Sequence, residues 1–202
     1  MSAVRTARAL VRAIKRDKLD GAGATRFFDW VKERSHLFRG VTYGTIVRGE
    51  AFDFSRIGTF LERADNTARI LDVKYHLLLP AHEHIGGPLD YYQWAGILRS
   101  VSALTAYHWV YRESLKPWLI ADLLILNDQM PRSLASCYAH LVEHLDNIAR
   151  AYGRQGPAQR HARAIRTRLE NSRMEEIFKS GLHEFIADNN RLGMLITEQY
   201  LV

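Results

Sequence analysis

A long apolar stripe in the middle of the chain limits what the protein can fold into more than any other feature of its sequence. Between residues 54 and 78, apolar side chains recur at alternating steps of three and four, which is the spacing along one side of an α-helix. They are Phe54, Ile57, Leu61, Ala64, Ala68, Leu71, Tyr75 and Leu78. Such a stripe must be buried against other elements. The sequence therefore predicts one unbroken helix over residues 50–79 that packs into a core.

Nearly all of the remaining sequence shows the same helical periodicity, and no segment shows the sustained alternation of a strand. We predict further helices over residues 2–18, 24–47, 89–111, 116–126, 158–178 and 180–200, and one that begins near Pro131 and ends at Gly153. Glycine and proline mark the breaks, as at residues 20–23 and 86–88. Long helices with short connections predict an all-α fold, an antiparallel helical bundle of about six to eight helices, in one domain over residues 1–202.

Composition and charge restrict the class of partner. The 202 residues are 47% hydrophobic and 25% charged, which is typical of a globular protein. The net charge of +6 is concentrated in residues 1–26 and 154–173, which can dock an acidic protein face, a nucleic acid or a membrane surface. Residues 154–173 contain no aromatic side chain for base stacking, and neither helix-turn-helix nor zinc-finger spacing occurs. The sequence therefore favours a protein partner over nucleic acid or membrane.

The single cysteine and the hydropathy pattern predict the compartment. Cys137 has no second cysteine with which to form an intrachain disulfide, which fits a reducing compartment. Asp122 interrupts the longest strongly apolar stretch, which is too short to span a bilayer, and the N-terminus does not read as a secretory signal. We therefore expect a cytoplasmic protein. Cys137 falls between the apolar positions of its helix, so we interpret it as a packing residue and assign no catalytic residue.

A second, polar stripe runs along the flank of the long helix. It consists of Glu62, Asp65, Arg69, Asp72 and His76. Asp65 and Arg69 are four residues apart in the favourable order, a pair that stabilises an exposed helix by about 0.2–0.5 kcal/mol. The stripe can be a solvated or interhelical ladder of ion pairs. It can also be a binding edge, with Glu62, Arg63, Asp65, Asn66, Arg69 and Asp72 as the candidate binding residues. Arg63 lies further round the helix and, if buried, needs a carboxylate partner from another helix.

The segment from His140 to His144 matches the H-x-x-E-H pattern of zinc peptidases. Two histidines four residues apart can share one metal ion, with Glu143 as a general base. A zinc site needs a third ligand, however, and none stands out in the sequence that follows. We therefore expect no metal and no other cofactor, and retain His140, Glu143 and His144 only as candidates. Motifs for a nucleophilic serine, a P-loop or a dinucleotide fold are missing from the sequence.

The run from Arg56 to Lys74, RIGTFLERADNTARILDVK, resembles the alpha-E family, a set of bacterial helical proteins named for a Glu-Arg motif. The segments Phe28–Gly40, Asn127–Leu134 and Leu182–Leu201 look like further segments of that family. The motif corresponds to Glu62 and Arg63, with Asp65, Asn66, Arg69 and Asp72 matching around it. Family members are usually longer and carry an additional N-terminal Glu-Arg helix, which we do not find before residue 50. The chain thus resembles the C-terminal part of the family architecture.

The resemblance also implies a function. It implies a genomic setting beside circularly permuted ATP-grasp proteins and transglutaminase-like peptidases, and so a role in a system that modifies peptides or amide bonds. We expect a non-catalytic helical interaction or accessory module whose partner is an ATP-grasp-type ligase or its peptide substrate, with a second copy of the chain as a further candidate. The alternative is an enzyme, metal-dependent or not, with a carboxylate/His site inside the bundle. Its candidate groups are Glu62, Asp65, His140, Glu143 and His144.

Overall fold

The computed structural model describes residues 21–78, 88–173, 177 and 182–201, and their regular structure is helical throughout, with no strand within these ranges. The helices are α1 (Gly21–Thr45), α2 (Glu50–Leu78), α3 (Pro88–Ser100), α4 (Leu104–Tyr111), α5 (Pro117–Ile125), α6 (Leu134–Ala151), α7 (Pro157–Asn171) and α8 (His183–Tyr200). The prediction of an all-α helical bundle is confirmed. The helix predicted over residues 2–18 lies outside the described residues. The chain divides into two compact units, Met1–Arg48 and Gly49–Val202.

The first unit contains α1, which differs from its predicted bounds at both ends. It begins at Gly21, where the described residues begin, so Gly21 and Gly23, which the sequence assigned to a break, are helical. Glycine lowers helix propensity by about 1 kcal/mol but does not exclude a helix, so the prediction of a break at these two glycines was wrong. The helix ends at Thr45, two residues before the predicted end. There the Arg48 side chain donates a hydrogen bond to the Tyr43 carbonyl at 2.7 Å and lies over the Tyr43 ring.

The second unit is organised around α2, which is a single helix of 29 residues as predicted, up to Leu78, where the described residues end. Its buried side chains include Ile57, Phe60, Ala64 and Leu71, each no more than 5% exposed. Helix α2 packs most extensively on α6, α6 packs on α7, and α8 contacts both α2 and α7. The shorter helices α3, α4 and α5 contact one another, and α5 also packs on α2 and α6.

Two buried amides connect the helices of the core. The Tyr138 hydroxyl on α6 donates to Asn189 Oδ1 on α8 at 2.9 Å, and Asn189 Nδ2 donates to the Leu61 carbonyl on α2 at 3.3 Å. Burial raises the pKa of Tyr138, so its phenol stays a proton donor at neutral pH. On α7, the fully buried Gln159 donates from Nε2 to the Leu145 carbonyl of α6 at 3.1 Å. Because an unsatisfied buried polar group costs about 1–3 kcal/mol, these bonds fix the register of the helices.

The segment predicted as one helix over residues 89–111 forms two helices, α3 and α4. Ser102 adopts a left-handed conformation with φ of 56°. Its N–H donates to the Arg99 carbonyl at 3.0 Å, and the Ala103 N–H donates to the Leu98 carbonyl at 2.7 Å. These two bonds form a Schellman motif, with the fully buried Leu98 and Ala103 as its apolar residues. The motif usually places glycine at the left-handed position; a serine occupies it here, so the sequence did not reveal the break.

The start of α6 also differs from the prediction. The helix begins at Leu134, three residues after Pro131. The Asn127 side-chain oxygen accepts the N–H groups two and three residues later, at 3.0 and 2.9 Å, and this turn keeps the segment out of the helix. Ser133 then caps the helix by accepting the N–H of Ser136 at 3.0 Å.

Helix α6 ends close to its predicted end, whereas α7 ends earlier than predicted. Helix α6 ends at Ala151, close to Gly153, whose φ of 66° suits a glycine. Helix α7 ends at Asn171, before the predicted residue 178, because Ser172 has an extended backbone. The predicted residues 174–176 and 178 lie outside the described ranges.

We predict that replacing Ser102 with glycine raises the free energy of unfolding by about 1 kcal/mol, because glycine avoids most of the penalty of the left-handed conformation. Replacing Ser100 with glycine, within the last turn of α3, serves as the control and should lower it by about 0.5–1 kcal/mol. Urea denaturation measures both values. A loss of stability for Ser102→Gly would contradict the assignment of this turn.

Candidate functional site

One side of α2 presents a row of polar side chains, which we call the α2 polar face. It consists of Glu62, Asp65, Asn66, Arg69 and Asp72. Steps of three and four residues place them in one sector of the helix. Glu62, Asn66 and Arg69 are exposed, whereas Asp65 and Asp72 are half-buried. The structure therefore brings together five of the six binding residues predicted from the sequence.

The carboxylates at the edge of the face have different partners. Asp65 Oδ2 accepts a hydrogen bond from Arg69 Nε at 2.7 Å, and this bond raises the pKa of Arg69. The second oxygen of Asp65, Oδ1, is buried and accepts no hydrogen bond from the described part of the chain. Asp72 Oδ2 lies 3.6 Å from His183 Nδ1 on α8, within reach of an ion pair when the imidazole is charged. The face thus extends from α2 to the start of α8.

Arg63, the sixth predicted residue, points to another part of the core. Its Nη1 donates a hydrogen bond to the Pro131 carbonyl at 2.9 Å, and its guanidinium lies 5.4 Å from the centre of the Phe60 ring. One turn further on, the Thr67 hydroxyl donates to the Arg132 carbonyl at 2.9 Å. We predicted a carboxylate partner for a buried Arg63, and the structure gives this half-buried side chain a backbone carbonyl. Arg63 and Thr67 therefore hold the loop before α6 against α2.

The two histidines of the H-x-x-E-H segment do not point toward one another. His140 Nδ1 lies 3.3 Å from Glu143 Oε2 on the exposed side of α6, and the His140 ring stacks on Phe60 at 4.6 Å. His144 is buried and directs Nδ1 toward Asp53 Oδ1 on α2 at 2.8 Å. Among the residues that the structure describes, no group of three His, Cys, Asp or Glu side chains converges to hold a metal ion.

Two buried charged residues on α2 were missed by the sequence reasoning. Asp53, which contacts His144, also accepts a hydrogen bond from Asn147 Nδ2 at 3.1 Å. Lys74 is 2% exposed, donates to Gln93 Oε1 at 2.7 Å and lies over the Trp94 ring. The sequence contains a spacing pattern that could have revealed both residues. Up to Lys74, where the description of burial ends, the buried positions of α2 are residues 53, 57, 60, 64, 67, 68, 71 and 74, a helical series that includes the charged Asp53 and Lys74.

Cys137 is buried in α6, as the packing interpretation requires. Burial raises the pKa of its thiol to about 12, and its sulfur lies 3.9 Å from the Pro131 carbonyl oxygen. Only a thiolate is a strong nucleophile, so this side chain has no nucleophilic character at neutral pH.

A family model, Alpha-E, described as a predicted alpha-helical domain with a conserved ER motif, matches residues 2–201. The match covers nearly the whole chain and is not confined to its C-terminal part. The missing N-terminal Glu-Arg helix stays a prediction. No curated protein and no solved structure gives a match. None of the described helices combines the length and the hydropathy needed to cross a membrane.

The two residues of the Glu-Arg motif should contribute differently to stability. We predict that Arg63→Ala lowers the free energy of unfolding by about 1–3 kcal/mol, because the Pro131 carbonyl loses a charged donor. Glu62→Ala, the matched control on the exposed face, should change it by less than about 0.5 kcal/mol. Urea denaturation compares the two variants, and equal effects would contradict the separation of roles.

Cys137 should be unreactive in the native protein. With a pKa of about 12, the thiolate fraction at pH 8 is about one in ten thousand, and burial further blocks access to the sulfur. We predict that a chromogenic disulfide reagent leaves the native protein unlabelled and labels one thiol per chain in denaturant. Stoichiometric labelling of native protein within minutes would show that the site opens readily.

Proposed function

The chain belongs to the Alpha-E family, and on that premise we propose that it is a non-catalytic helical module that binds a protein partner through the α2 polar face. The proposed partner is an ATP-grasp-type ligase or its peptide substrate, within a cytoplasmic bacterial system that modifies peptides or amide bonds. The choice of partner rests on the family resemblance, and the choice of surface rests on the geometry of α2.

The observation that carries this proposal is the unused bonding capacity of the α2 polar face. Glu62 and Asn66 are exposed and make no hydrogen bond or ion pair with other described residues. Asp65 does not add to this capacity, because its Oδ2 is bonded to Arg69 and its Oδ1 is buried. Arg63, by contrast, is bonded within the fold. The glutamate of the motif is therefore available to another molecule.

The charges of the face indicate what kind of surface would fit it. Three carboxylates, Glu62, Asp65 and Asp72, accompany one cation, Arg69, so the face is acidic. Val73 lies four residues beyond Arg69, is 55% exposed and offers an apolar contact at the same side of the helix. A partner helix or extended peptide with Lys or Arg donors and one apolar residue would match this arrangement. Complementary charge of this kind increases association rates and selects among partners.

One observation favours the alternative, an enzyme with a site inside the bundle. The buried Asp53–His144 pair resembles the carboxylate-imidazole pairs that orient a catalytic histidine. However, both groups are about nine-tenths buried, and Asn147 also binds the same carboxylate oxygen. The pair thus serves the packing of α2 on α6. Metal analysis separates the two functions: stoichiometric zinc or iron that is lost on His144→Ala would favour the enzyme.

We predict that the double variant Glu62→Ala/Arg69→Ala weakens binding to an ATP-grasp protein from the same genome by roughly tenfold or more, equivalent to about 1.4 kcal/mol. The reason is the loss of one acceptor and one donor from the face. Isothermal titration calorimetry measures the affinity. The matched control is Arg166→Ala/Glu170→Ala on α7, which removes an exposed ion pair of the same spacing and the same 2.7 Å distance as Asp65–Arg69.

The control variant should bind the partner as tightly as the wild-type chain does. Two results would contradict the proposal: absence of a complex between the wild-type proteins, or an equal loss of affinity for the two double variants. Because Glu62 and Arg69 are exposed, both variants should fold, and urea denaturation checks this independently.

A further inference from the structure

A cleft rich in arginine lies where α6 ends and α7 begins, away from the α2 polar face. It has a volume of about 460 Å³. Its lining includes Asp146, Ala149, Arg150, Arg154, Gln155 and Arg163. We call it the arginine cleft. Its volume lies within the range of about 300–1,000 Å³ that is typical of small-molecule sites.

The end of α6 brings these side chains together. Gly153 adopts a left-handed conformation, with its N–H donating to the Arg150 carbonyl at 3.3 Å. The Arg154 N–H donates to the Ala149 carbonyl at 3.1 Å, which completes a Schellman motif. The chain therefore turns sharply after α6, and Arg154 follows directly on the turn. Arg163 joins the cleft from α7.

The three arginines are only partly neutralised within the described residues. Arg163 donates to Asp146 Oδ1 at 2.7 Å and to Gln155 Oε1 at 2.8 Å. Arg150 donates to neutral oxygens, the Asp146 carbonyl and the Asn147 side chain. The Arg154 side chain is exposed and makes no hydrogen bond or ion pair with the described part of the chain. With one carboxylate against three guanidinium groups, the cleft carries a net charge of +2.

We propose that the arginine cleft binds a small molecule that carries a phosphate group. A phosphate monoester has a charge of about −1.5 to −2 at neutral pH, which matches the charge of the cleft better than a single carboxylate does. A planar guanidinium group can donate two parallel hydrogen bonds to two oxygens of one phosphate. The volume exceeds that of a phosphate ion and leaves room for an organic part.

The donors in this site are the arginine side chains and not the N-terminus of α7. The N–H of Ala158, in the first turn of α7, already donates to Gln199 Oε1 at 3.0 Å, and the Gly156 N–H donates to Gln159 Oε1 at 2.9 Å. Asp146 limits the site because it occupies one donor of Arg163. A ligand phosphate must therefore rely on Arg150 and Arg154, unless it displaces Asp146.

Calorimetric titration of the full chain with inorganic pyrophosphate tests this inference. We expect the wild-type chain to bind at submillimolar concentration, and added salt to weaken the binding because the groups are exposed. Arg154→Gln should weaken it by roughly tenfold, as the loss of a charge-assisted hydrogen bond does. Asp146→Asn should strengthen it, because Arg163 loses its anionic partner and the net charge of the cleft rises.

Arg191→Gln is the matched control, because Arg191 is an exposed arginine of α8 that does not line the cleft. It should leave the affinity unchanged, as should the α2 variant Glu62→Ala/Arg69→Ala, so this test does not depend on the proposed function. The inference is overturned if millimolar pyrophosphate does not bind, if Arg191→Gln weakens binding as much as Arg154→Gln, or if succinate binds as tightly as pyrophosphate.

Discussion

The packing of α2 on α6 is the interaction on which the rest of the second unit depends. The line of buried residues on α2 includes the small residues Ala64 and Ala68, both fully buried. Because these two residues are small, the α2 side chains beside them can reach the backbone of the neighbouring segment. Arg63 and Thr67 hold the carbonyls of the loop before α6. At the other end of the line, Asp53 binds His144. The polar bonds of α2 to α6 and to the loop before it thus accompany this apolar contact.

This packing divides the Glu-Arg motif into an inner and an outer half. Glu62 and Arg63 are adjacent in sequence, so they point about 100° apart around the helix. Arg63 turns toward the loop before α6, where its charge is held by a carbonyl and an aromatic ring. Glu62 remains exposed. A motif that looks like one binding element in the sequence therefore combines a structural residue with a residue that is free to contact a partner.

The two surfaces considered for binding have opposite charge and lie on different helices. The α2 polar face is acidic and suits a basic segment of another protein, whereas the arginine cleft is basic and suits an anionic group. The first was visible in the sequence as a stripe of regular spacing. The second was visible only as a local excess of arginine in residues 154–173. Arg150 comes from outside that segment, and the packing of α7 on α6 adds Arg163 to the same cleft.

The sequence by itself determined the fold class, the continuity of α2 and the alignment of the polar face, because helical periodicity is a local property that each segment carries within its own residues. The tertiary structure decided which of two overlapping stripes on α2 is buried, and so placed Asp53 and Lys74 in the core. It also decided the break at Ser102, the carbonyl partner of Arg63 and the separate environments of His140 and His144. Each of these depends on atoms that are distant in sequence or on backbone bonds that no side-chain pattern specifies.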